Sequence, residues 1–267
     1  MPETGAGVRL EAPEDGVALL RLDRPGQLNA LTDDAVVEFG RLLDRVNADR
    51  KIRVLVVSGA GRGFCAGFDL ALAGDAPGSA EQGETPAWMA RQESFASLVT
   101  RLRALRQPVI AAVNGPANGA GLGLALAAEI RIAGRSASFN AAFVRVGMSS
   151  CDIGVSWLLP RCVGMSRAFD IMLTGRMVDA AEAERIGLVS EIVDDERLLP
   201  RAFEVARSIV ANSEFGVWMT KRSGWANVES ASLQAAIELE NRTQILARTT
   251  GELAKAAESL LARRARR

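Results

Sequence analysis

Two apolar runs in this chain each lead into a glycine-rich turn, and this arrangement limits the folds that are open to it. The run VLVV at residues 54–57 precedes FCAGFDL at residues 64–70, and VIAA at residues 109–112 precedes VNGPANGAGLG at residues 113–123. Continuous apolar runs of this kind are typical of strands that are buried on both faces of a parallel sheet. Because parallel strands need crossover connections, the sequence predicts an α/β fold in which helices link the strands.

The rest of the pattern alternates between strands and helices. A strand is expected at residues 16–22, and Thr32 is placed to cap a helix that continues to about Asp49. Further strands are expected at residues 53–58, 108–113 and 129–133, with helices at residues 86–106 and 119–129. The stretch 73–86 lacks apolar periodicity and predicts a mobile loop, which is either a lid over a binding site or a surface insertion without a role.

The C-terminal part of the chain is predicted to be almost wholly helical. Helices are expected at residues 195–210 and 230–248, and a last helix opens near Glu252. Three amphipathic helices without a sheet of their own must bury their apolar faces on the core or on another subunit. We therefore divide the chain into an α/β core at residues 1–194, which carries the candidate binding site, and a helical oligomerisation region at residues 195–267.

Composition excludes several kinds of catalytic chemistry. The chain contains no histidine and no tyrosine, which excludes a Ser-His-Asp triad, a Cys-His pair, a histidine-bound metal and a tyrosine acid. Its three cysteines form no C-x-x-C pair, so neither a zinc site nor a disulfide framework is suggested, and no metal is expected. The 32 basic and 32 acidic residues balance, which gives no general case for a nucleic-acid or membrane partner. With no apolar stretch long enough to cross a bilayer and no signal-like N-terminus, we expect a cytoplasmic protein.

The two glycine-rich turns are candidates for an anion-binding site. A turn that leads into a helix leaves backbone N–H groups unpaired at the helix N-terminus, where they favour a negative charge. Two such donors that converge on one carbonyl oxygen form an oxyanion hole. Ordinary tight linkage between a strand and a helix is the alternative explanation of both turns.

These turns, together with four further segments, resemble the crotonase superfamily of enoyl-CoA hydratases and isomerases. The further segments are DRPGQLNAL at residues 23–31, LAAEIRIA at 126–133, LLPRCVG at 158–164 and AEAERIGLV at 181–189. One glycine-rich turn alone is a weak signal, whereas motifs in the family's order are a strong one, and the resemblance extends from about Val17 to Arg222. It implies a spiral of repeated ββα units with C-terminal helices that make trimer contacts. It also implies an acyl-CoA thioester as substrate, no separate cofactor, and a homotrimer or a dimer of trimers.

Carried onto this chain, the resemblance implies that the oxyanion donors are the backbone N–H groups of Phe68 and Ala120. Ala120 stands where the family usually has glycine, which a backbone donor tolerates provided that its φ is not positive. The residues implied to contact the acyl-CoA are Arg24, Gln27, Leu28, Ala30, Ala66, Gly67, Asp69, Leu70, Gly119, Phe143 and Lys221. Arg24 and Lys221 would bind the CoA phosphates, with a solvated charge as the alternative for each.

Both catalytic glutamates of the family's hydratases are replaced in this chain. The aligned positions hold Gly123 and Phe143, and neither side chain can transfer a proton. Asp152 is a nearby acid, and in relatives that isomerise dienoyl-CoA an aspartate near this position transfers the proton. The alternative is that Asp152 caps a helix that begins near Gly154, and Glu93 is a second candidate acid.

Three functions therefore remain open from the sequence: an enoyl-CoA hydratase, a double-bond isomerase and a non-catalytic acyl-CoA-binding protein. The resemblance implies an enzyme of fatty-acid or related acyl-CoA metabolism that stabilises a thioester enolate. The missing glutamates argue against standard hydration, whereas Asp152 favours a double-bond isomerase that uses a single acid–base group. The third function is an acyl-CoA-binding protein that keeps the fold and has lost the chemistry.

Overall fold

The computed structural model describes residues 3–265. The chain divides after Arg207 into two compact units, which are described separately here. The division predicted after residue 194 separates the core from a region with a proposed role in oligomerisation, and it stays a prediction. Within the described residues, no helix combines the length and the apolar character that a membrane span requires.

The first unit contains two sheets. Its strands, within the described residues, are β1 (Glu3–Gly5), β2 (Val8–Glu14), β3 (Val17–Leu22), β4 (Val54–Gly59), β5 (Val109–Val113), β6 (Pro116–Asn118), β7 (Ile130–Gly134), β8 (Ser138–Asn140), β9 (Val178–Asp179) and β10 (Glu191–Val193). The larger sheet has the order β1-β2-β3-β4-β5-β7-β10, and the smaller one has the order β6-β8-β9. From β3 to β10 the strands of the larger sheet pair in parallel, as the apolar runs predict.

The helices of the first unit connect these strands. They are α1 (Asp33–Ala48), α2 (Ser79–Gln82), α3 (Glu84–Ala104), α4 (Ala120–Ala127), α5 (Val155–Val163), α6 (Met165–Thr174), α7 (Ala180–Arg185) and α8 (Leu198–Val210), which crosses the division between the units. In the second unit the described helices are α9 (Glu214–Val228), α10 (Leu233–Arg248) and α11 (Glu252–Ala265). Short 3₁₀ turns lie at Pro25–Gln27, Leu70–Leu72, Ala142–Val146 and Asp195–Arg197.

The predicted repetition of ββα units is present. The segment β5-β6-α4 places one strand in each sheet before its helix, and β7-β8-α5 does the same. An isolated bridge between Cys65 and Ala117 continues the smaller sheet into the preceding repeat, between β4 and α3. The first two repeats thus pass from the larger sheet to the smaller sheet and then into the glycine-rich turns, and this positions the site described below.

Helix α1 forms as the sequence predicts. The Thr32 hydroxyl oxygen accepts a hydrogen bond from the Ala35 N–H over 3.1 Å, and Asp33 and Asp34 occupy the first turn, where the helix dipole favours acidic side chains. Val36, Phe39 and other apolar residues at helical spacing are buried. Each large apolar side chain that is fully buried contributes roughly 1.5–3 kcal/mol, so this face holds the helix on the sheet.

The fold differs from the prediction in several parts. The stretch 73–86 is partly helical, because α2 lies within it and α3 begins at Glu84. No element was predicted at the strands β1, β2, β6, β8, β9 and β10 or at the helices α6, α7 and α9. In α9 the apolar residues are spread around the helix and not aligned on one face, and Gly216 and Gly224 weaken the helical signal further.

Candidate active site

The two glycine-rich turns lie against each other through backbone atoms. A Cβ atom on Gly67 would lie 2.9 Å from the Asn118 carbonyl oxygen and 3.5 Å from the Ala120 nitrogen. A Cβ atom on Gly121 would lie 2.1 Å from the Cys65 carbonyl oxygen. Glycine is therefore required at both positions for this approach, and Gly67 also has a φ of +99°, which side chains rarely allow.

The backbone N–H groups of Phe68 and Ala120 are left without a protein acceptor. Leu31 bridges to Phe68 in parallel: the Leu31 N–H donates to Gly67 O over 2.7 Å, and the Asp69 N–H donates to Leu31 O over 3.0 Å. This pattern leaves the N–H of Phe68 unused. Ala120 is the first residue of α4, so its N–H has no acceptor within the helix. Within residues 3–265, neither N–H donates to another protein group.

Ala120 adopts a conformation that any residue tolerates. Its φ is not positive, and the unusual backbone geometry falls on Gly119, with φ 51° and ψ −113°. The Gly119 N–H donates to the Asn140 carbonyl oxygen over 2.9 Å, which fixes the turn before the helix. The condition under which alanine can replace the family's glycine is therefore met.

Phe68 and Ala120 line a cavity of about 580 Å³. Other residues predicted to contact the acyl-CoA also line it, namely Ala66, Gly67, Leu70, Gly119 and Phe143. Helix α3 supplies a further part of the wall, which sequence reasoning missed, with Trp88, Arg91, Gln92 and Phe95. Counted from Trp88, the other three residues follow after three, four and seven positions, and this spacing places all four on one face of the helix.

An aromatic cluster forms the wall between α3 and the first glycine-rich turn. The Phe68 ring packs edge to face against Phe95 and Trp88, with centroid distances of 5.5 and 6.3 Å. The Arg91 guanidinium lies 4.8 Å from the Phe68 centroid and 4.9 Å from the Trp88 centroid. These contacts give the cavity an aromatic surface suited to an apolar acyl group.

Arg91 is held by several bonds and is not a free cation. Its Nη2 lies 2.6 Å from Asp33 Oδ2, its Nε donates to Asp33 Oδ1 over 2.8 Å, and its Nη1 donates to the Leu72 carbonyl oxygen over 2.9 Å. Only 5% of its side chain is exposed. This bidentate pair ties α3 to the start of α1 and to the 3₁₀ turn at Leu70–Leu72, which makes this wall rigid.

Asp152 lines the same cavity, and its carboxylate does not cap α5. The N-cap residue of α5 is Gly154, and no side chain caps this helix. Asp152 Oδ1 instead accepts a hydrogen bond from the Ile153 N–H over 2.6 Å and another from the Gln92 side-chain amide. Burial raises the pKa of the Asp152 carboxyl, and these two hydrogen bonds oppose the rise.

Neither position at which the family resemblance implies a missing glutamate holds an ionisable side chain, and Ile153 fills the space at position 123. A Cβ atom on Gly123 would lie 2.7 Å from Ile153 Cγ2 and 2.9 Å from the Ile153 carbonyl oxygen. Ile153 has a φ of +41°, which is rare for a β-branched residue. The segment that carries Asp152 thus occupies the space beside α4 that a side chain at position 123 would need. At the other position the Phe143 ring lies beside Gly119 and lines the cavity.

The loop that was predicted to contact CoA is fixed by its own hydrogen bonds. Arg24 Nη2 lies 3.0 Å from Asp69 Oδ2, and Arg24 Nη1 donates to the Ala30 carbonyl oxygen over 2.6 Å. The buried Asn29 donates to the carbonyl oxygens of Ala60 and Gly63 over 2.9 and 2.7 Å. Arg24 therefore clamps this loop to the first glycine-rich turn.

The remaining CoA contacts stay predictions. Gln27 lies exposed in the 3₁₀ turn at Pro25–Gln27, and Leu28, with a φ of +48°, ends that turn. Lys221 is buried on α9 in the second unit. The CoA contacts that were predicted for Arg24, Ala30 and Asp69 likewise stay predictions.

Three further ionisable groups lie in or beside the site. Glu93 is exposed on α3 and does not belong to the cavity wall, whereas Glu84, at the start of α3, lines it. Sequence reasoning missed Glu84 because the helix was expected to begin two residues later. Burial raises the pKa of the Cys65 thiol to about 12, so this thiol stays protonated near neutral pH.

The fold and the cavity define an enzyme scaffold of the crotonase type. Comparison with known proteins agrees: the sequence model of the family "Enoyl-CoA hydratase/isomerase" matches residues 12–264. The chain belongs to this family of the crotonase superfamily and is an enzyme of it.

The names of individual relatives include both hydratases and isomerases. The chain is 45% identical over 242 residues to a "Probable enoyl-CoA hydratase EchA12" of Mycobacterium tuberculosis, covering 90% of this chain and 85% of the relative. It is 38% identical to the 1,2-epoxyphenylacetyl-CoA isomerase of Escherichia coli, covering 94% of each. Among solved structures, a monofunctional enoyl CoA isomerase from M. smegmatis is 42% identical with a TM-score of 0.74, covering 87% of this chain and 99% of that one.

Proposed function

We propose that this enzyme moves the double bond of an enoyl-CoA thioester, with Asp152 as its acid–base group. The observation that carries the proposal is the placement of one partly buried carboxylate in the same cavity as two unpaired backbone N–H groups. Gly123 lies three residues after Ala120 on α4, about 4.5 Å along the helix axis, and contacts Ile153. Asp152 is therefore part of a segment that packs against the first turns of α4, and it lines the same cavity as Ala120.

The N–H groups of Phe68 and Ala120 act as the oxyanion hole in this proposal. Both donate to the thioester oxygen, and they stabilise it more strongly as negative charge develops there. Because they are backbone groups fixed in a turn and at a helix N-terminus, they need no rearrangement during the reaction. The acyl group lies against the aromatic wall of Phe68, Trp88 and Phe95.

Asp152 transfers one proton between two carbons of the substrate. Its ionised carboxylate takes a proton from C2 of a 3-enoyl thioester, which breaks the C2–H bond and gives a dienolate with its charge on the thioester oxygen. The carboxylic acid then delivers the proton to C4, and a C2=C3 double bond remains. The raised pKa of Asp152 brings it closer to the working pH, which suits a group that both accepts and donates a proton.

Hydration is the second candidate, and Glu84 is the observation that favours it. A hydratase usually needs two carboxylates to orient and activate water, and Glu84 is another carboxylate in the cavity wall. Its exposed position at the first turn of α3 is suited to contact with water. Under this candidate, Asp152 and Glu84 would together take the place of the missing glutamates.

Turnover measurements with purified protein separate these functions. Conversion of a 3-enoyl-CoA to the conjugated 2-enoyl-CoA is followed by absorbance, and crotonyl-CoA hydration is followed by loss of that absorbance. We expect isomerisation that Asp152→Asn eliminates and Glu84→Gln retains. Rapid hydration that depends on Glu84 would favour the second candidate. Binding of the thioesters, with neither turnover nor exchange of the C2 proton in D₂O, would favour a non-catalytic acyl-CoA-binding protein.

We also propose that the chain assembles into a homotrimer or a dimer of trimers. The second unit exposes apolar side chains on α10 and α11, among them Leu233, Ile245, Leu246 and Leu253. In the first unit Met165, Phe169 and Leu173 form an exposed apolar stripe on α6. Such faces are typical of subunit contacts. Sedimentation of the full chain should show an assembly, and a stable monomer would contradict the proposal.

A further inference from the structure

Two hydrogen-bond donors converge on one oxygen of the Asp152 carboxylate. The Ile153 N–H donates to Oδ1 over 2.6 Å, and the Gln92 side-chain amide donates to the same oxygen. Throughout the described part of the chain, no protein group donates to the other oxygen, Oδ2. The carboxylate cannot rotate without breaking both bonds, so Oδ2 keeps a fixed direction.

The hydrogen bonds from Gln92 and Ile153 differ in how they constrain the Asp152 carboxylate. The Ile153 N–H belongs to the residue after Asp152 and moves with the same backbone, so it cannot fix the carboxylate relative to the rest of the cavity. Gln92 lies on α3, 60 residues earlier in the sequence. Its helix neighbours Arg91 and Phe95 are buried in the cavity wall. The bond from Gln92 therefore ties Asp152 to α3, a separate element of the cavity wall.

We propose that Gln92 is a positioning residue, which holds Asp152 so that its free Oδ2 faces the acyl carbons of the substrate. This inference rests on the proposed role of Asp152 as the acid–base group. The amide also acts electrostatically, because a donor to the carboxylate favours its ionised form. Removing the donor should make Asp152 harder to ionise, and replacing it with a cation should make Asp152 easier to ionise.

Few other charges in the cavity can produce the same effect. The charged side chains of α3 that line it are Glu84 and Arg91, and Arg91 is paired with Asp33. The lining residues of α4 and of the Ala142–Val146 turn carry no ionisable side chain. Burial raises the pKa of Asp152 and its two hydrogen bonds lower it, and no charged side chain contributes to the shift.

A pair of substitutions tests the proposal through shifts of opposite sign. Gln92→Met keeps the length of the side chain and removes the donor, and Gln92→Lys supplies a charged donor. In the pH dependence of kcat/KM, the acid limb should move to higher pH in Gln92→Met and to lower pH in Gln92→Lys. Each shift should be on the order of one pH unit, as expected for a hydrogen bond to a carboxylate that is only partly buried. Glu93→Gln, one residue along the same helix and outside the cavity wall, is the matched control and should leave the profile unchanged.

A titration that needs no turnover separates this inference from the proposed function. Aspartate labelled with ¹³C at the carboxyl carbon reports the ionisation of Asp152 by NMR, and Asp152→Asn identifies its signal. Opposite shifts in the two Gln92 variants support the positioning role, even if no enoyl-CoA is turned over and the proposed function fails. An Asp152 signal that titrates identically in wild type, Gln92→Met and Gln92→Lys would overturn it. Circular dichroism of both variants is the control, and we expect it to show an unchanged fold because Gln92 is exposed to the cavity and not buried in the core.

Discussion

The substitution Gly123→Ala tests whether the segment carrying Asp152 is packed against α4. The new Cβ atom would lie 2.7 Å from Ile153 Cγ2 and 2.9 Å from the Ile153 carbonyl oxygen, whereas ordinary contacts begin at 3.4 Å. Ile153 must therefore move by about 0.7 Å, the difference between 3.4 and 2.7 Å. Asp152 is the preceding residue, so its carboxylate moves with Ile153.

The expected loss of activity is larger than the expected loss of stability. Overpacking costs about 1–3 kcal/mol, and alanine in place of glycine inside a helix returns about 1 kcal/mol, which leaves roughly 0–2 kcal/mol of destabilisation. At about 2–4 °C per kcal/mol for a chain of this size, the melting temperature falls by at most roughly 8 °C. A displacement approaching 1 Å at a catalytic group can cost about 10²-fold in rate, so isomerase activity should fall by more than tenfold.

Gly224→Ala is the matched control for this experiment. Gly224 also lies inside a helix, α9, and a Cβ atom there meets no atom within 4 Å. We expect this variant to keep full activity and to be as stable as wild type or slightly more stable. Turnover at saturating substrate and thermal melting by circular dichroism are measured for both variants. Full activity and unchanged melting of Gly123→Ala would refute the packing of Ile153 against α4.

Three further predictions follow from the site. Ala120→Pro should lower kcat by about 10²–10³-fold with an unchanged circular dichroism spectrum, because proline is accepted at the first position of a helix while the N–H is lost; a folded, fully active variant would exclude this N–H as an oxyanion donor. Asp152→Asn should eliminate turnover yet raise the melting temperature at neutral pH. The folded-state pKa of Asp152 is raised, so its contribution to stability is present below the unfolded-state pKa and is lost as pH rises through the folded-state pKa. The higher melting temperature of the variant should therefore disappear in acid. A gain in melting temperature that is equal at all pH values would contradict the raised pKa. Arg91→Met should lower stability by about 1.5–3 kcal/mol, because it removes the guanidinium from the partly exposed Asp33 carboxylate and from two aromatic rings. Denaturant unfolding measures the loss, and an effect below about 0.5 kcal/mol would show that the pair is dispensable.

Much of the fold was predictable because its signals are local. The apolar runs that became β4 and β5, and the cap formed by Thr32, depend on neighbouring residues alone. The position of α2 within the stretch 73–86 was not predictable, since a four-residue helix leaves no periodic pattern. Helix α9 was missed because its apolar residues do not align on one face.

The site was predictable in its backbone and less so in its side chains. The glycine-rich turns that carry the unpaired N–H groups of Phe68 and Ala120 are visible in the sequence, and the family resemblance pointed to these two residues within them. The bond between Gln92 and Asp152 joins residues 60 positions apart, and no local pattern reveals such a pair. Whether Asp152 caps α5 likewise depended on where its carboxylate points, and the positive φ angles of Ile153 and Gly154 are not visible in the sequence pattern.

The contact between the two glycine-rich turns has a consequence for how this enzyme can evolve. Both donor N–H groups belong to the main chain, and the turns that carry them are joined by backbone atoms at Gly67 and Gly121. Most single substitutions change a side chain and leave such a pair of donors in place, whereas one substitution at Asp152 removes the carboxylate that we propose as the acid–base group. If the two N–H groups hold the thioester oxygen as we propose, this capacity is inherited more robustly than any particular reaction. We therefore expect new activities on this scaffold to arise by moving the acidic residue from one element to another, and we expect a descendant that loses Asp152 to keep its binding of the thioester.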